Sequence, residues 1–340
     1  MLTREKSEQR EYEILSEFAA KASETRGRER FEPKCEFRTD FQRDRDRIIH
    51  SKALRRLMHK TQVFLAPEKD HFRTRLTHTL EVAQISRSIA RALCLNEDLT
   101  EAIAMGHDLG HTPFGHNGEN ALAERHIGGF HHNEQSLRVV DVLEAHDGKR
   151  GMNLTFEVRD GIVNHTGPNT PVTLEGQIVK TADRIAYINH DIDDAKDSGV
   201  ISEGSLPEEA VSVLGRTTRS RIDFLITDMI ENSDGKPEIL QGEAARSAMN
   251  ELRNFMFQNV YLSPKVQMDG NLGKIKNVIF GLYDYYETHL FELPSEYLEM
   301  VDDFGPEAVI KDHIAGMTDR YAIDLYSKLF VPTGFVHSVE

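Results

Sequence analysis

The sequence predicts an all-α fold. Apolar residues recur at spacings of three and four wherever a period can be read, alternating strand patterns are short, and 23 glycines and 11 prolines are few for a turn-rich β architecture. No repeat, low-complexity stretch or obvious linker interrupts the 340 residues, so one large domain or two intimate ones are expected.

Taken in order, residues 1–60 are expected to form an N-terminal helical segment carrying a basic stretch. His78 through Leu93 reads as a helix with Val82, Ile85, Ile89 and Leu93 on one side, and Asn96 or the residues after it open another helix running to His107. The string GHTPFGHNG follows, where three glycines and Pro113 break any helix. Helical patterns resume over Glu119 to Arg125 and Asn133 to His146, with further helices expected at 174–196, 207–231, 244–260, 272–291 and 318–330. Gly199, Gly204 and Pro207 make 196–206 the best boundary, giving a core over 61–200 and a C-terminal helical region over 201–340 that packs with it.

Composition narrows the function. A net charge of −15 argues against a general nucleic-acid or membrane coat protein, yet residues 26–75 carry a local +7 and leave −22 for the remainder. An anionic ligand is one occupant of that stretch, which holds Arg43, Arg47, Arg55 and Arg56; a plain solvated face is the other reading. Two cysteines, Cys35 and Cys94, cannot build a disulfide framework or a cysteine-rich zinc site. The N-terminus MLTREKSEQREYEIL has no apolar signal core, and no stretch approaches eighteen apolar residues, so a cytoplasmic protein with no membrane role is expected. Thirteen of the sixteen histidines fall between His50 and His190, which enriches the central third in metal ligands and proton carriers.

His78 is in register with Val82, Ile85 and Ile89, and His107 follows Leu99 and Ile103 at spacings of four, so both point inward. A lone inward histidine reads as a satisfied core residue. Two of them beside Asp108 read differently, because a buried carboxylate is costly unless it is paired or bound to a cation, and imidazole with carboxylate is what divalent metals accept. Adjacent helical residues diverge by roughly 100°, so His107 and Asp108 reach one ion only if it lies between helices, and a further carboxylate must come from elsewhere. TADRIAYINHDIDDA supplies Asp183, with Tyr187, His190 and Asp194 on its face, Asp191 roughly 80° round, and Ile185, Ile188 and Ile192 opposite. On pattern alone that polar face reads as solvated.

The ordered set His78, His107-Asp108, Asp183 resembles the signature of the HD-domain metal phosphohydrolases. The longer strings FRTDFQRDRDRIIHSKALRRLMHKTQVF, RTRLTHTLEVAQISR, GHDLGHTPFGHNGE, FHHNEQSLRVV, TADRIAYINHDIDDA and AGMTDRYA resemble, block by block, the bacterial deoxyguanosine triphosphate triphosphohydrolase-like proteins, from about residue 10 to 332. The resemblance implies an HD-domain helical bundle with an added C-terminal helical layer, and hydrolysis of deoxynucleoside triphosphates at the α-phosphorus to deoxynucleoside and tripolyphosphate. His78, His107, Asp108 and Asp183 would hold one divalent cation, and this donor set fits manganese, magnesium, cobalt, iron or zinc alike.

The resemblance also makes His116 a proton donor to the leaving 5′ oxygen, with Glu119 orienting it or the water; loop packing and a helix N-terminal carboxylate are the plain alternatives. It places Arg75 and Arg184 against the triphosphate, where each otherwise reads as a surface ion pair. His111 would sit near the α-phosphate, and Tyr187 and Asp191 would contact the sugar. The implied partners are the deoxynucleotide substrate, an activating nucleotide, single-stranded DNA and further copies of the chain. Two competing readings remain at this stage: an HD phosphohydrolase acting on another nucleotide, and a regulatory nucleic-acid-binding protein using residues 26–75 as its platform.

Overall fold

The computed structural model describes residues 2–62, 73–146, 148–263 and 271–332. The all-α expectation is met: among the described residues the only paired strands are Ala145–His146 and Lys149–Arg150, two residues each. Twelve helices carry the first three quarters of the chain: α1 (Arg4–Ile14), α2 (Asp40–Ile49), α3 (Lys52–Arg56), α4 (Arg75–Ala92), α5 (Glu97–Gly106), α6 (Gly115–Arg125), α7 (His132–Arg138), α8 (Phe156–Asn164), α9 (Leu174–Asp197), α10 (Glu208–Leu214), α11 (Thr218–Ser233) and α12 (Glu243–Met256). Helices Asn271–Thr288, Pro306–Ala315 and Asp319–Phe330 follow, with short helical turns at Leu290–Glu292, Ser295–Leu298 and Val301–Phe304 between them.

Local chemistry explains where several expected boundaries moved. Thr74 and Thr77 form a reciprocal cap, so α4 begins at Arg75, one turn before the first inward histidine. Asn96 caps α5 through Leu99 N–H. The helix expected over 207–231 is two helices, because Gly215 takes φ +98° and Thr217 caps a fresh start with Ser220. The segment expected to be helical to His146 passes instead through a π turn at Val139–Leu143 and ends in the strand pair. Helix α8 and helix Pro306–Ala315 were not foreseen as elements.

Two apolar clusters organise the helices. The larger is built around α9, which lies against α4, α5 and α8 and also against α11 and α12. The smaller joins α6 to the last helices through Phe114, Leu122, Ile279, Leu282 and Ile310. Where α5 crosses α8 the approach is so close that a Cβ on Gly161 would stand 2.5 Å from Ile103 Cδ1, and one on Gly106 would stand 2.5 Å from Ile162 Cδ1. This crossing fixes the ends of both helices, which carry His107 and His165.

The N-terminal basic stretch is largely neutralised from within. Arg28 pairs with Asp40 and Asp44, Arg43 and Arg47 with Glu32, and Arg45 with Asp98 at 2.6 Å. Residues 63–72 of that stretch lie outside the described residues. Both cysteines are free.

Candidate active site

The ends of α4 and α5 and the middle of α9 converge on one cavity of about 430 Å³. One donor atom from each of His78, His107 and Asp108 lies within 4.8 Å of the other two. Asp183 Oδ1 stands 3.0 Å from His78 Nε2 and 3.8 Å from His107 Nε2. Nδ1–H of His107 donates to the Ala104 carbonyl at 2.7 Å, which fixes the tautomer and leaves Nε2 presenting a lone pair. That Nε2 is buried without a hydrogen-bond partner. A buried, unprotonated imidazole nitrogen facing two carboxylates is a site shaped for a cation, so the four residues fit a divalent metal.

Arg75 is not the surface ion pair that its position alone allows. It is buried, donates from Nη1 to Asp108 Oδ2 at 2.6 Å, and keeps Nε and Nη2 unpartnered. Burial would raise the Asp108 carboxyl, but Arg75 and the nearby histidines hold it well below the usual range. Asp183 is likewise held low: burial opposes this, and the hydrogen bond with His78 outweighs it. The polar face of α9 is not solvated, because the helix is packed on both sides. His190 meets Glu81 at 2.9 Å, Asp194 meets Arg73 at 2.8 Å, and Asp191 lines the cavity.

Phe114 takes a left-handed conformation, φ +64°, and turns the chain into α6, whose first turn carries His116 and Glu119. Asp319 holds that turn from the last helix, accepting from Phe114 N–H at 2.9 Å and from Thr61 N–H at 3.0 Å. His116 Nδ1 lies 3.3 Å from Glu119 Oε2, and its ring is 68% exposed at the cavity mouth. His111 is buried, stacked on His132 at 4.5 Å, with Nδ1 unpartnered; burial and then Arg75 push its imidazolium well below the ordinary value, so it is neutral.

His132 and His165 belong to the site, although the sequence reading did not single them out. His165 Nδ1–H donates to the Ile162 carbonyl at 2.7 Å, so its Nε2 must accept from His132 Nε2–H at 3.3 Å. The other nitrogen of His132 faces Glu119 at 2.9 Å and must also carry a proton. His132 is therefore an imidazolium paired with the Glu119 carboxylate. Burial acts against that charge and Glu119 more than restores it, whereas burial, with the His132 charge beside it, takes His165 down to about 3. His132 stands in the quoted string FHHNEQSLRVV and was open to notice; His165 has no in-register partner to mark it.

Tyr187 and Asp191 line the far wall. Tyr261, from a π turn at Phe257–Tyr261 that continues α12, donates its phenol to Asp191 Oδ2, while Asp191 Oδ1 is buried without a partner. Burial lifts the Asp191 carboxyl to about 7 against the pull of that phenol. Arg184 does not join the group: its guanidinium donates to Asn250 on α12 at 3.1 Å, turned from the cavity by its place beside Asp183 on the helix.

An HD domain model matches residues 75–188, and a phosphohydrolase-associated domain model matches residues 240–328. A deoxyguanosinetriphosphate triphosphohydrolase-like protein of Caldanaerobacter subterraneus subsp. tengcongensis is 55% identical, covering 98% of this chain and 97% of its own. One from Desulfatibacillum aliphaticivorans is 48% identical over 99% of this chain and 100% of its own. A solved phosphohydrolase from Bacteroides thetaiotaomicron shares the fold, with a TM-score of 0.54 over 84% of this chain and 68% of that one, at 18% identity. With near full-length identity on this scale and the helical HD core in place, the chain belongs to the deoxyguanosinetriphosphate triphosphohydrolase-like family of HD phosphohydrolases.

Proposed function

We propose that this phosphohydrolase cleaves deoxynucleoside triphosphates at the α-phosphorus, releasing deoxynucleoside and tripolyphosphate. The observation that carries the reading is that one cavity gathers buried polar atoms with no partner in the protein, Arg75 Nε and Nη2, His111 Nδ1 and Asp191 Oδ1, with His107 Nε2 behind its wall at 3.8 Å from Asp183. Each costs about 1–3 kcal/mol unless a ligand answers it, and together they describe an anion, a cation and a hydroxyl.

His78, His107, Asp108 and Asp183 would hold a divalent cation, which supplies Lewis acidity at the α-phosphate when bound. Arg75 anchors Asp108 through Nη1 and offers its two remaining nitrogens, Nε and Nη2, as donors to phosphate oxygens. His111, neutral and buried, contributes one hydrogen bond beside them. His116 holds a proton at its free nitrogen for the 5′ oxygen as the α-phosphorus to 5′-oxygen bond breaks. Glu119, kept anionic by His132, orients that ring through Nδ1. Tyr187 closes around the 2′ carbon, and Asp191 takes the 3′-OH.

The test is incubation with each of the four deoxynucleoside triphosphates and Mg²⁺, Mn²⁺ or Co²⁺, with phosphorus NMR of the products. Tripolyphosphate and free deoxynucleoside are expected. Accumulation of a nucleoside monophosphate or diphosphate would move the chain to a different nucleotide hydrolase.

A further inference from the structure

Lys60-Thr61 and the string AGMTDRYA, residues 315–322, supply no group to the proposed chemistry, yet the fold brings both against the loop that runs from Asp108 to His116. Lys60 is buried, and its Nζ donates to the His111 carbonyl on that loop and to the Ala315 carbonyl at 2.8 Å. Asp319, buried at the start of the last helix, accepts from Phe114 N–H at 2.9 Å through Oδ1. Its Oδ2 accepts from Thr61 N–H at 3.0 Å and from the Thr61 hydroxyl. One carboxylate thus joins the last helix, the chain ahead of α4 and the loop.

The turn that Asp319 holds is an uncommon one. Phe114 at φ +64° and Gly115 at φ +59° are consecutive left-handed residues, and a residue with a bulky side chain persists there when its surroundings over-determine it. The Phe114 ring is buried in the smaller apolar cluster, among the last helices, and the carboxylate fixes the direction of its N–H. Gly115 passes so near the 60–62 segment that a Cβ there would stand 2.8 Å from the Gln62 carbonyl oxygen. His116 lies two residues beyond Phe114 with its ring 68% exposed, so the backbone beneath it sets where the imidazole stands.

We infer that Asp319 is a positioning residue for the proton donor: by holding the Phe114 turn it places His116 against the leaving 5′ oxygen. The inference rests on the proposed role of His116 and gives the C-terminal helical layer a part in the chemistry. Three donors converge on this side chain, which suits an ionised carboxylate, since it only accepts, whereas an amide would turn an NH₂ toward one of them. Proton transfer needs heavy atoms within about 3 Å, and a misplacement of about 1 Å costs up to about 10²-fold in rate.

The experiment measures kcat and KM for wild type, Asp319→Ala, Asp319→Asn, His116→Ala and the Asp319→Ala/His116→Ala double variant, with bound metal and melting temperature alongside. Two substrates are used: a deoxynucleoside triphosphate, and its analogue with sulfur in place of the 5′ bridging oxygen. A thiolate leaves without taking a proton, so the analogue bypasses the donor. Asp319→Ala should lose about ten- to hundredfold in kcat on the oxygen substrate, keep its metal and KM, and turn over the sulfur analogue as wild type does. Asp319→Asn, which keeps the shape and one acceptor oxygen, should show the same pattern on a smaller scale and carries the test if the alanine variant does not fold. Adding Asp319→Ala to His116→Ala should lower kcat no further, because the carboxylate acts through that ring. Wild-type kcat on the oxygen substrate in both Asp319 variants overturns the inference. So does an equal loss on both substrates, which would make Asp319 a packing element, or a further loss in the double variant. A wild type that releases no deoxynucleoside and tripolyphosphate overturns the functional reading itself, and a fully active His116→Ala removes the proton donor, and Asp319 with it, while leaving the metal chemistry standing.

Discussion

The N-terminal basic stretch and the cavity beside α4 are both dense in charge, and they differ in how the charges are answered. In the stretch, Arg28, Arg43, Arg45 and Arg47 each close on at least one carboxylate, and Arg47 adds the Met152 and Asn153 carbonyls. In and just behind the cavity, Arg75, His107, His111 and Asp191 each keep a buried polar atom that nothing in the protein answers. The same residue types are thus used twice, once to fasten the chain to itself and once to wait for a ligand. Removing a charge from the first region should cost stability, and removing one from the second should cost binding or turnover.

The strongest contrast pairs Asp108 with Asp44. In Asp108→Asn the amide oxygen still accepts from Arg75, so the fold should persist while the cation site loses a charged donor. Bound metal should fall to background by elemental analysis, and turnover should drop at least about 10³-fold, given that the ion supplies several kcal/mol of transition-state stabilisation. Stoichiometric metal with near-normal turnover would remove Asp108 from the site. Asp44 is buried and takes hydrogen bonds from Thr155 N–H at 2.8 Å and Thr155 Oγ1 at 2.7 Å, besides its pair with Arg28. Asp44→Ala should cost about 1–3 kcal/mol of stability in urea titration, since it leaves the buried Thr155 donors unanswered and removes one of the two carboxylates on Arg28, while metal content per folded molecule stays intact. If the two variants exchanged phenotypes, the distinction between answered and unanswered charges would fail.

Much of this was legible in the sequence, and the limits have physical causes. His78 and His107 are legible because the helix period ties each to an apolar face, and Asp183 because the resemblance to the HD signature singles it out of a polar face; the structure brings the three together. The burial of the α9 polar face is hidden from the pattern because a helical period reports which residues share a side, while what covers that side, Arg73, Glu81 and Tyr261, comes from other segments of the chain. Arg184 and Arg75 are both arginines next to site positions, and only the fold sends one to Asn250 and the other to Asp108. His165 and Tyr261 sit at a helix end and in a π turn, where no period marks a direction. The break at Gly215 needed a conformation, φ +98°, that the surrounding helical pattern hid.

The proton donor gives an intermediate effect. His116 faces Glu119 through Nδ1 and stands edge-on to the His111 ring at 5.4 Å, away from His78, His107, Asp108 and Asp183. His116→Ala should therefore keep metal and substrate affinity and lose at least about 10²-fold in kcat, the scale of general acid catalysis. Metal loss in that variant would make the ring a support of the cation site, and full activity would remove it from the chemistry. His132→Ala sharpens the point: with the imidazolium gone, Glu119 loses the partner that keeps it ionised, so kcat should fall and the acid limb of its pH profile should move upward.

The smallest effect tests whether an unanswered atom must belong to a ligand site. Glu175, at the start of α9, is fully buried; its Oε1 accepts from Ala20 N–H at 3.1 Å and Asn96 N–H at 2.9 Å, while Oε2 has no partner and does not line the cavity. Burial raises its carboxyl from 4.5 to about 7, against the pull of those N–H donors and of Lys21. A folded-state value above the unfolded one means the native protein holds the proton more tightly, so this stabilising contribution is complete below about pH 4.5 and is lost as pH rises toward and through 7. The loss between pH 5 and 7 amounts to about 2 kcal/mol for a shift of that size. Glu175→Gln removes the titration and keeps the shape, so the difference in urea stability between wild type and variant should change by that amount across the window, while turnover at fixed pH stays the same. A flat difference would mean that Glu175 is ionised in the native state and that Oε2 finds a partner. A loss of turnover without a change in stability would instead place it with the cavity residues, and the boundary between the two kinds of unanswered charge would have to be redrawn.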